Sequence, residues 1–120
     1  MPPKASSNSV KIISLDREQL LADLRRMAGE IKREHPEVAE VRLFGSLARG
    51  DQTGTSDADV LVLLDHTNVD DPHRRILMFL PYFDLGRGVD LLVYTRKELE
   101  QRLSEGDRNL KRIWTESLLL

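Results

Sequence analysis

The chain has 120 residues, so we expect one domain and no separate domain for recognising a substrate. Apolar residues make up 40% of the sequence and charged residues 32%, which is typical of a soluble globular protein and excludes a membrane or fibrous class. Eighteen basic and twenty acidic residues give a formal charge of -2, which argues against binding to nucleic acid. The absence of cysteine excludes disulfides, thiolate metal centres and cysteine nucleophiles, and it fits a cytoplasmic protein.

The N-terminal part is predicted to be a flexible lead-in, residues 1–13, followed by the folded domain, residues 14–120. Residues 1–9 contain prolines and serines and lack the apolar run of a secretory signal. From Asp16 to about Glu34, apolar residues recur every three or four positions, which predicts an amphipathic helix capped by Ser14 or Asp16. No apolar run approaches the roughly 20 residues that span a bilayer, so we expect no membrane contact.

Three apolar runs predict strands, at residues 41–44, 60–64 and 89–94. The second run is continuously apolar, which is typical of a central strand buried on both faces. Helical patterns separate and follow the strands: a turn at residues 47–49, a helix from about 70 to 81, a helix from a Thr95 cap to about 103, and a last segment capped by Asp107. This order predicts an α/β domain with a small three-stranded mixed sheet and helices packed on it.

Three aspartates fall at the starts of the second and third predicted strands. Asp57 and Asp59 are two residues apart, so their side chains point to the same face of an extended strand. The segment 65–88 is long enough for a crossover helix, which makes these strands parallel and brings Asp90 beside the pair. The Gly45-Ser46 turn reaches the same edge of the sheet if the first two strands are antiparallel. We therefore expect all of these residues at one edge of a mixed sheet.

The residue types at this edge indicate a particular chemistry. Three carboxylates repel each other unless cations lie among them, and hard oxygen ligands select magnesium or manganese rather than zinc. Magnesium is usually held by one or two carboxylates together with the phosphates of a substrate. Gly45 lets the backbone approach a phosphate, and Ser46 adds a hydroxyl donor. The combination predicts phosphoryl or nucleotidyl transfer.

The pattern as a whole is more specific than any of its parts. It consists of Gly45-Ser46, ten intervening residues, Asp57-Ala58-Asp59 and the later strand aspartate Asp90. With these motifs the chain resembles the nucleotidyltransferase fold of the DNA polymerase beta superfamily. Within that superfamily it is most similar to the minimal nucleotidyltransferases (MNT), many of which are antitoxins encoded beside a HEPN-domain toxin. The resemblance covers residues 41–94 by motif and the whole chain by length and element order.

The resemblance implies a role for each matched residue. Asp57 and Asp59 would ligate two magnesium ions, for which manganese is an alternative. Asp90 would bind one ion and help to activate the acceptor hydroxyl, while Gly45 and Ser46 would hold the triphosphate of an ATP donor. The implied reaction is in-line attack on the α-phosphorus with departure of pyrophosphate. In the antitoxins of this family, AMP is transferred to a tyrosine of the partner toxin and silences it.

Some residues allow two interpretations. Arg49 is a candidate phosphate ligand or a solvated helix arginine. Trp114 is expected in the core, with a partner or self-association surface as the alternative, and the leucines at 118–120 are expected to be exposed. Asp65 is expected to be structural, away from the cluster. The histidines lack the spacing of metal ligands and are expected on the surface or in loops: His35, His66 and His73.

Three function hypotheses follow. The first is a magnesium-dependent adenylyltransferase that modifies a HEPN-domain toxin as its antitoxin, because a small chain favours an acceptor that brings its own recognition surface. The second is a binding antitoxin that neutralises its toxin by occlusion, without catalysis. The third is a transferase for a small molecule such as an aminoglycoside, which would need the cleft of a homodimer; a strictly monomeric protein would count against it.

Overall fold

The computed structural model describes the backbone of residues 2–51 and 57–120 and the side chains of residues 17–51 and 57–120. The helices and strands follow one another in this order: α1 (Pro2–Glu34), β1 (Val38–Phe44), α2 (Gly45–Arg49), β2 (Ala58–Leu64), α3 (Pro72–Phe79), a 3-10 turn (Leu80–Tyr82), β3 (Val89–Thr95), α4 (Arg96–Ser104), α5 (Arg108–Glu116) and β4 (Leu118–Leu119). Residues 52–56, which precede the paired aspartates in the sequence, lie outside the described residues.

The strands form a mixed sheet in the order β3-β2-β1-β4. β1 and β2 are antiparallel, and β2 and β3 are parallel, so both predicted pairings are confirmed. The α/β class is also confirmed, but the predicted count of three strands was one too low. The leucines at 118 and 119 pair with Leu43 and Arg42 of β1, a match too short to carry the alternating pattern that signals a strand. Leu119 remains 54% exposed, as expected for an edge position.

α1 begins earlier than the sequence pattern predicts. It starts at Pro2 rather than at a cap formed by Ser14 or Asp16, so its backbone includes the segment expected to be a lead-in. Proline fits the first turn of a helix because its missing N–H has no intrahelical acceptor there. The division into a lead-in, residues 1–13, and a domain, residues 14–120, stays a prediction. Among the described residues, no helix combines the length and the apolar character needed to cross a membrane.

The starts of α4 and α5 agree with the predicted caps. The Thr95 hydroxyl accepts from the Glu98 N–H while the Glu98 carboxylate accepts from the Thr95 N–H, which completes a capping box at α4. Asp107 accepts from the Leu110 N–H at α5, and Asp71 accepts from the His73 N–H at α3. These side chains satisfy amides that have no partner inside the helix.

The central strand β2 is buried on both faces, as its continuous apolar run predicts. Val60, Val62 and Leu64 face one core cluster, which also contains residues of α1 and α3. Leu61 and Leu63 face a second cluster, which is completed by residues of α4 and α5. Helices therefore cover both faces of the sheet and hold its strand ends in fixed positions.

Trp114 lies at the border of the core rather than within it, because its side chain is only half-buried. Its ring packs against the second cluster, and the Arg42 guanidinium lies 4.1 Å from the ring centroid. His66 and His73 are exposed and His35 lies in the loop between α1 and β1, as expected. The His35 ring is half-buried and edge-on to Phe79, with 5.0 Å between the ring centroids. Asp65 forms an ion pair of 2.7 Å with Arg96, consistent with a structural role.

A buried arginine connects α3 to the cap of α4. Arg75 is 4% exposed, and its Nε donates to Val69 O at 2.6 Å. Its Nη1 donates to Glu98 Oε1 at 2.7 Å. This hydrogen bond to Arg75 is the main reason that the pKa of Glu98 is lowered, and the amide and hydroxyl of Thr95 lower it further. Glu98 therefore neutralises a buried cation and caps a helix at the same time.

Replacing Glu98 by glutamine should destabilise the fold at neutral pH by roughly 1 kcal/mol, allowing for the solvent that reaches this half-exposed carboxylate. A lowered pKa stabilises the folded state above the unfolded pKa, and this contribution is lost as the pH falls through the folded pKa. The difference between the two proteins should therefore shrink in acid. Urea unfolding at several pH values measures it, with the exposed Glu100→Gln as control. A difference that does not vary with pH would contradict this account.

Candidate active site

The edge of the sheet where β1 ends and β2 begins holds the predicted site residues. Phe44, the last residue of β1, pairs with Asp59, and Asp59 pairs in turn with Asp90 of β3. Gly45 follows Phe44 directly and opens α2. The pairing of three strands therefore brings the turn and two of the three aspartates into lateral contact, as the sequence predicts.

Gly45 fits closely against Asp59. Its φ of +75° lies in the left-handed region, which side chains rarely adopt. A Cβ at this position would overlap Asp59 Oδ2 and lie 3.1 Å from Asp59 Cγ. Both the backbone conformation and the contact therefore require glycine, and they place the backbone of the turn directly beside a carboxylate.

Asp59 and Asp90 form a carboxyl pair. Partial burial is the main cause that raises the pKa of Asp59. The charge of Asp90, a hydrogen bond shared with Asp90, and the charge of Asp57 raise it further, while Arg49 lowers it. The carboxylates of Asp57, Asp59 and Asp90 therefore concentrate negative charge at this edge.

Asp57 lies just before β2 and is exposed. Its carboxylate rests against the backbone of Gly88, where a Cβ would stand 2.5 Å from Asp57 Oδ1 and 2.9 Å from Cγ. The Ala58 N–H donates to Gly88 O at 2.9 Å, which joins the approaches to β2 and β3. The structure thus places Asp57 at the same edge, in contact with the β3 approach, while Asp59 lies beside Asp90 of β3.

A metal centre of three carboxylates stays a prediction. Within residues 17–51 and 57–120, no three His, Asp or Glu side chains stand close enough together to hold a metal ion. The Asp59 and Asp90 pair nevertheless fits a hard cation, because both groups offer anionic oxygens and their mutual repulsion would be relieved by one. Magnesium needs only one or two protein carboxylates when phosphates supply the remaining oxygens.

Ser46 is the second residue of α2 and not its cap. Phe44 occupies the cap position and makes no side-chain hydrogen bond there. Ser46 O accepts from the Gly50 and Asp51 N–H groups at 3.0 and 3.1 Å, so its backbone closes the short helix. The Ser46 hydroxyl therefore does not cap the helix.

Arg49, at the end of α2, is held by two carboxylates. Its Nε lies 3.2 Å from Asp51 Oδ2 and its Nη1 lies 3.1 Å from Glu116 Oε1. These partners, with the Asp51 hydrogen bond first, raise the pKa of Arg49. Its charge also reaches the carboxyl pair, since it lowers the pKa of Asp59. Arg49 is therefore close enough to act on the site electrostatically, and it is not a purely solvated arginine.

Two residues near the site were not identified from the sequence. Arg17 of α1 donates to the Leu47 and Ala48 carbonyls of α2, and Glu116 of α5 pairs with Arg49. Each contact joins residues at least 30 positions apart, and local periodicity and motifs contain no signal for such pairs. Only the assembled fold reveals that α2 is held from two sides.

A cavity of about 690 Å³ lies elsewhere, along the outer edge of β3. α3 supplies one wall and α4 with the following turn supplies the other, and none of the six predicted site residues lines it. The cavity is therefore separate from the carboxylate edge.

Comparisons with known proteins agree with this geometry. The family described as Nucleotidyltransferase domain matches residues 24–120. A protein of Methanocaldococcus jannaschii named "Putative protein adenylyltransferase MJ1379" is 32% identical over 92 residues, which cover 69% of this chain and 91% of that protein. A crystal structure described as "a putative nucleotidyltransferase from Sulfolobus solfataricus" shares the fold, with a TM-score of 0.67, 23% identity and coverage of 89% of this chain and 84% of that one. In agreement with the resemblance to minimal nucleotidyltransferases, the chain belongs to the nucleotidyltransferase domain family.

Proposed function

We propose that the protein transfers AMP from ATP to a hydroxyl group of a partner protein. The observation that carries the proposal is the contact of the Gly45 turn with the Asp59 and Asp90 carboxyl pair at one edge of the sheet. A glycine turn packed beside paired carboxylates suits metal-assisted nucleotidyl transfer. The name of the M. jannaschii relative supports adenylate as the transferred group and protein as the acceptor.

The chain's own residues have distinct tasks in this proposal. Gly45 and Ser46 hold the triphosphate, and Arg49 adds positive charge beside it. Asp90 accepts the proton of the acceptor hydroxyl while the hydroxyl oxygen forms a bond to the α-phosphorus. The bond from the α-phosphorus to the bridging oxygen breaks, and pyrophosphate leaves with the electron pair. The proton passes from Asp90 to solvent, so atoms and charge balance.

Magnesium would be held by Asp59 and Asp90, with Asp57 as a further ligand, and manganese is an alternative. When bound, it would stabilise the charge that develops on the attacking and leaving oxygens. Carboxylate and phosphate oxygens are the ligands that this ion prefers, and a cation would relieve the repulsion between the Asp59 and Asp90 carboxylates.

We further propose that the partner is a HEPN-domain toxin and that the protein is its antitoxin, acting in the cytoplasm. This part of the proposal rests on the resemblance to minimal nucleotidyltransferases, in which transfer of AMP to a tyrosine silences the toxin. Homo-oligomerisation is compatible with it.

Neutralisation of a toxin tests the proposal. We expect co-production with a HEPN-domain protein from the same genome to restore growth and to leave AMP on that protein, as seen by mass spectrometry. The Asp57→Asn/Asp59→Asn variant should bind the toxin without modifying it, so growth should not recover. Equal neutralisation by the variant, with no AMP attached, would establish occlusion instead. Transfer to an aminoglycoside but not to the protein would favour a small-molecule transferase.

A further inference from the structure

We infer that Arg17 is a positioning residue for the donor site: from α1, it fixes α2, the short helix that carries Gly45, Ser46 and Arg49. The inference rests on the proposed function, since it assigns a task to a residue that does not itself touch the donor.

The guanidinium of Arg17 contacts the end of α2 through two of its nitrogen atoms. Its Nε donates to Leu47 O at 3.1 Å and its Nη2 lies 3.4 Å from Ala48 O. The Gly50 and Asp51 N–H groups both donate to Ser46 O, so Arg17 supplies the donors for the next two carbonyls of the helix. Gly50 has a φ of +81°, and a Cβ there would lie 3.9 Å from Arg17 Nε. The guanidinium therefore lies directly beneath the turn that ends α2.

α2 needs such support because it has only five residues. A single turn of helix is not stable through its own hydrogen bonds, so its position depends on contacts with the rest of the fold. The buried Leu47 side chain provides one such contact, and the pairing of Arg49 with Glu116 provides another. Arg17 connects the backbone of α2 to α1 through its two hydrogen bonds.

The position of α2 matters for the catalytic edge. Gly45, its first residue, packs against the Asp59 carboxyl so closely that a Cβ would overlap it. Movement of the helix therefore changes the position of the turn relative to the carboxyl pair. A small displacement of groups that orient a substrate costs much more in binding and rate than in stability. Arg17 thus acts on the donor through the placement of α2.

Calorimetric titration with ATP and magnesium tests this role in three variants. Arg17→Met removes both donors, and Arg17→Lys restores a single, more flexible one. Arg25→Met is the matched control, because Arg25 is an exposed arginine of the same helix. We expect ATP affinity to fall about 10-fold in Arg17→Met, to fall less in Arg17→Lys, and to match the wild type in Arg25→Met. Thermal melting of each protein separates these changes from a loss of folded protein.

The possible results have different meanings. Wild-type affinity in a folded Arg17→Met protein would overturn the inference and leave the proposed function intact, even if the melting temperature fell, because that is the pattern of a purely structural residue. If Arg17→Met does not fold, equal affinity in Arg17→Lys and the wild type overturns the inference, and an intermediate affinity supports it. Failure of the wild type to bind ATP would overturn the proposed function and the inference together.

Discussion

Replacing Asp59 by asparagine should abolish nucleotidyl transfer and, at the same time, make the folded protein more stable. We expect transfer to fall at least about 1,000-fold, because the variant loses a carboxylate from the site where charge develops in the reaction. The stability effect follows from the raised pKa of Asp59, which is caused mainly by partial burial and further by the neighbouring charges of Asp90 and Asp57.

The direction of the stability change follows from linkage. A carboxyl group whose pKa is higher in the folded than in the unfolded state destabilises the folded protein as the pH rises from the unfolded pKa through the folded pKa. Asparagine carries no such charge and can donate a hydrogen bond to Asp90. The variant should therefore melt at a higher temperature than the wild type at neutral pH, and the difference should disappear in acid. Thermal melting at neutral and acidic pH checks this.

Asp65→Asn is the matched control for that experiment. Asp65 follows the same strand at its opposite end and forms an exposed ion pair with Arg96. Its loss should leave transfer unchanged and alter stability by no more than about 1 kcal/mol. A stable Asp59→Asn protein that retained wild-type transfer would contradict the assignment of the site, whereas an inactive Asp65→Asn protein would show that the assay reports on general damage.

The second large effect is expected from Gly45→Ala. An alanine at this position must adopt a left-handed backbone conformation, at a cost of about 1–2 kcal/mol. Its Cβ would also overlap the Asp59 carboxyl. The methyl group must push Asp59 away from Asp90 or move the turn. Either movement breaks the arrangement that the proposed function requires. We therefore expect transfer to fall about 100-fold, measured on the folded fraction of the protein.

Gly86→Ala separates the two components of this effect. Gly86 also has a positive φ, +67°, but a Cβ there meets nothing within 4 Å. The control should show a similar loss of stability from backbone strain and full transfer activity. Equal transfer by Gly45→Ala and Gly86→Ala would mean that the fit of Gly45 against Asp59 has no part in catalysis.

Much of this edge could be predicted from the sequence because the information is local. The two-residue spacing of Asp57 and Asp59, a continuous apolar run after them and a crossover of sufficient length determine where a strand aspartate such as Asp90 must lie. The helix starts at Thr95 and Asp107 could also be predicted from the sequence, because a cap and its first turn lie within a few residues of each other.

The features that escaped prediction depend on distant parts of the chain. β4 is only two residues long and exists because β1 offers it a free edge. The early start of α1 runs through a segment rich in proline and serine, where composition indicated a lead-in. The arrangement of the carboxylates also differs in detail from the expected cluster, since Asp57 rests against Gly88 while Asp59 pairs in register with Asp90. Such choices depend on tertiary packing that spacing alone does not specify.

The central claim is that this edge binds a nucleotide together with a metal ion. Calorimetric titration of the wild type with ATP and with GTP, each with and without magnesium, tests it most directly, with Asp57→Asn/Asp59→Asn as the comparison. We predict magnesium-dependent binding of ATP that the double variant loses. ATP binding that is equally strong in the double variant, or that does not depend on the metal, would contradict the account.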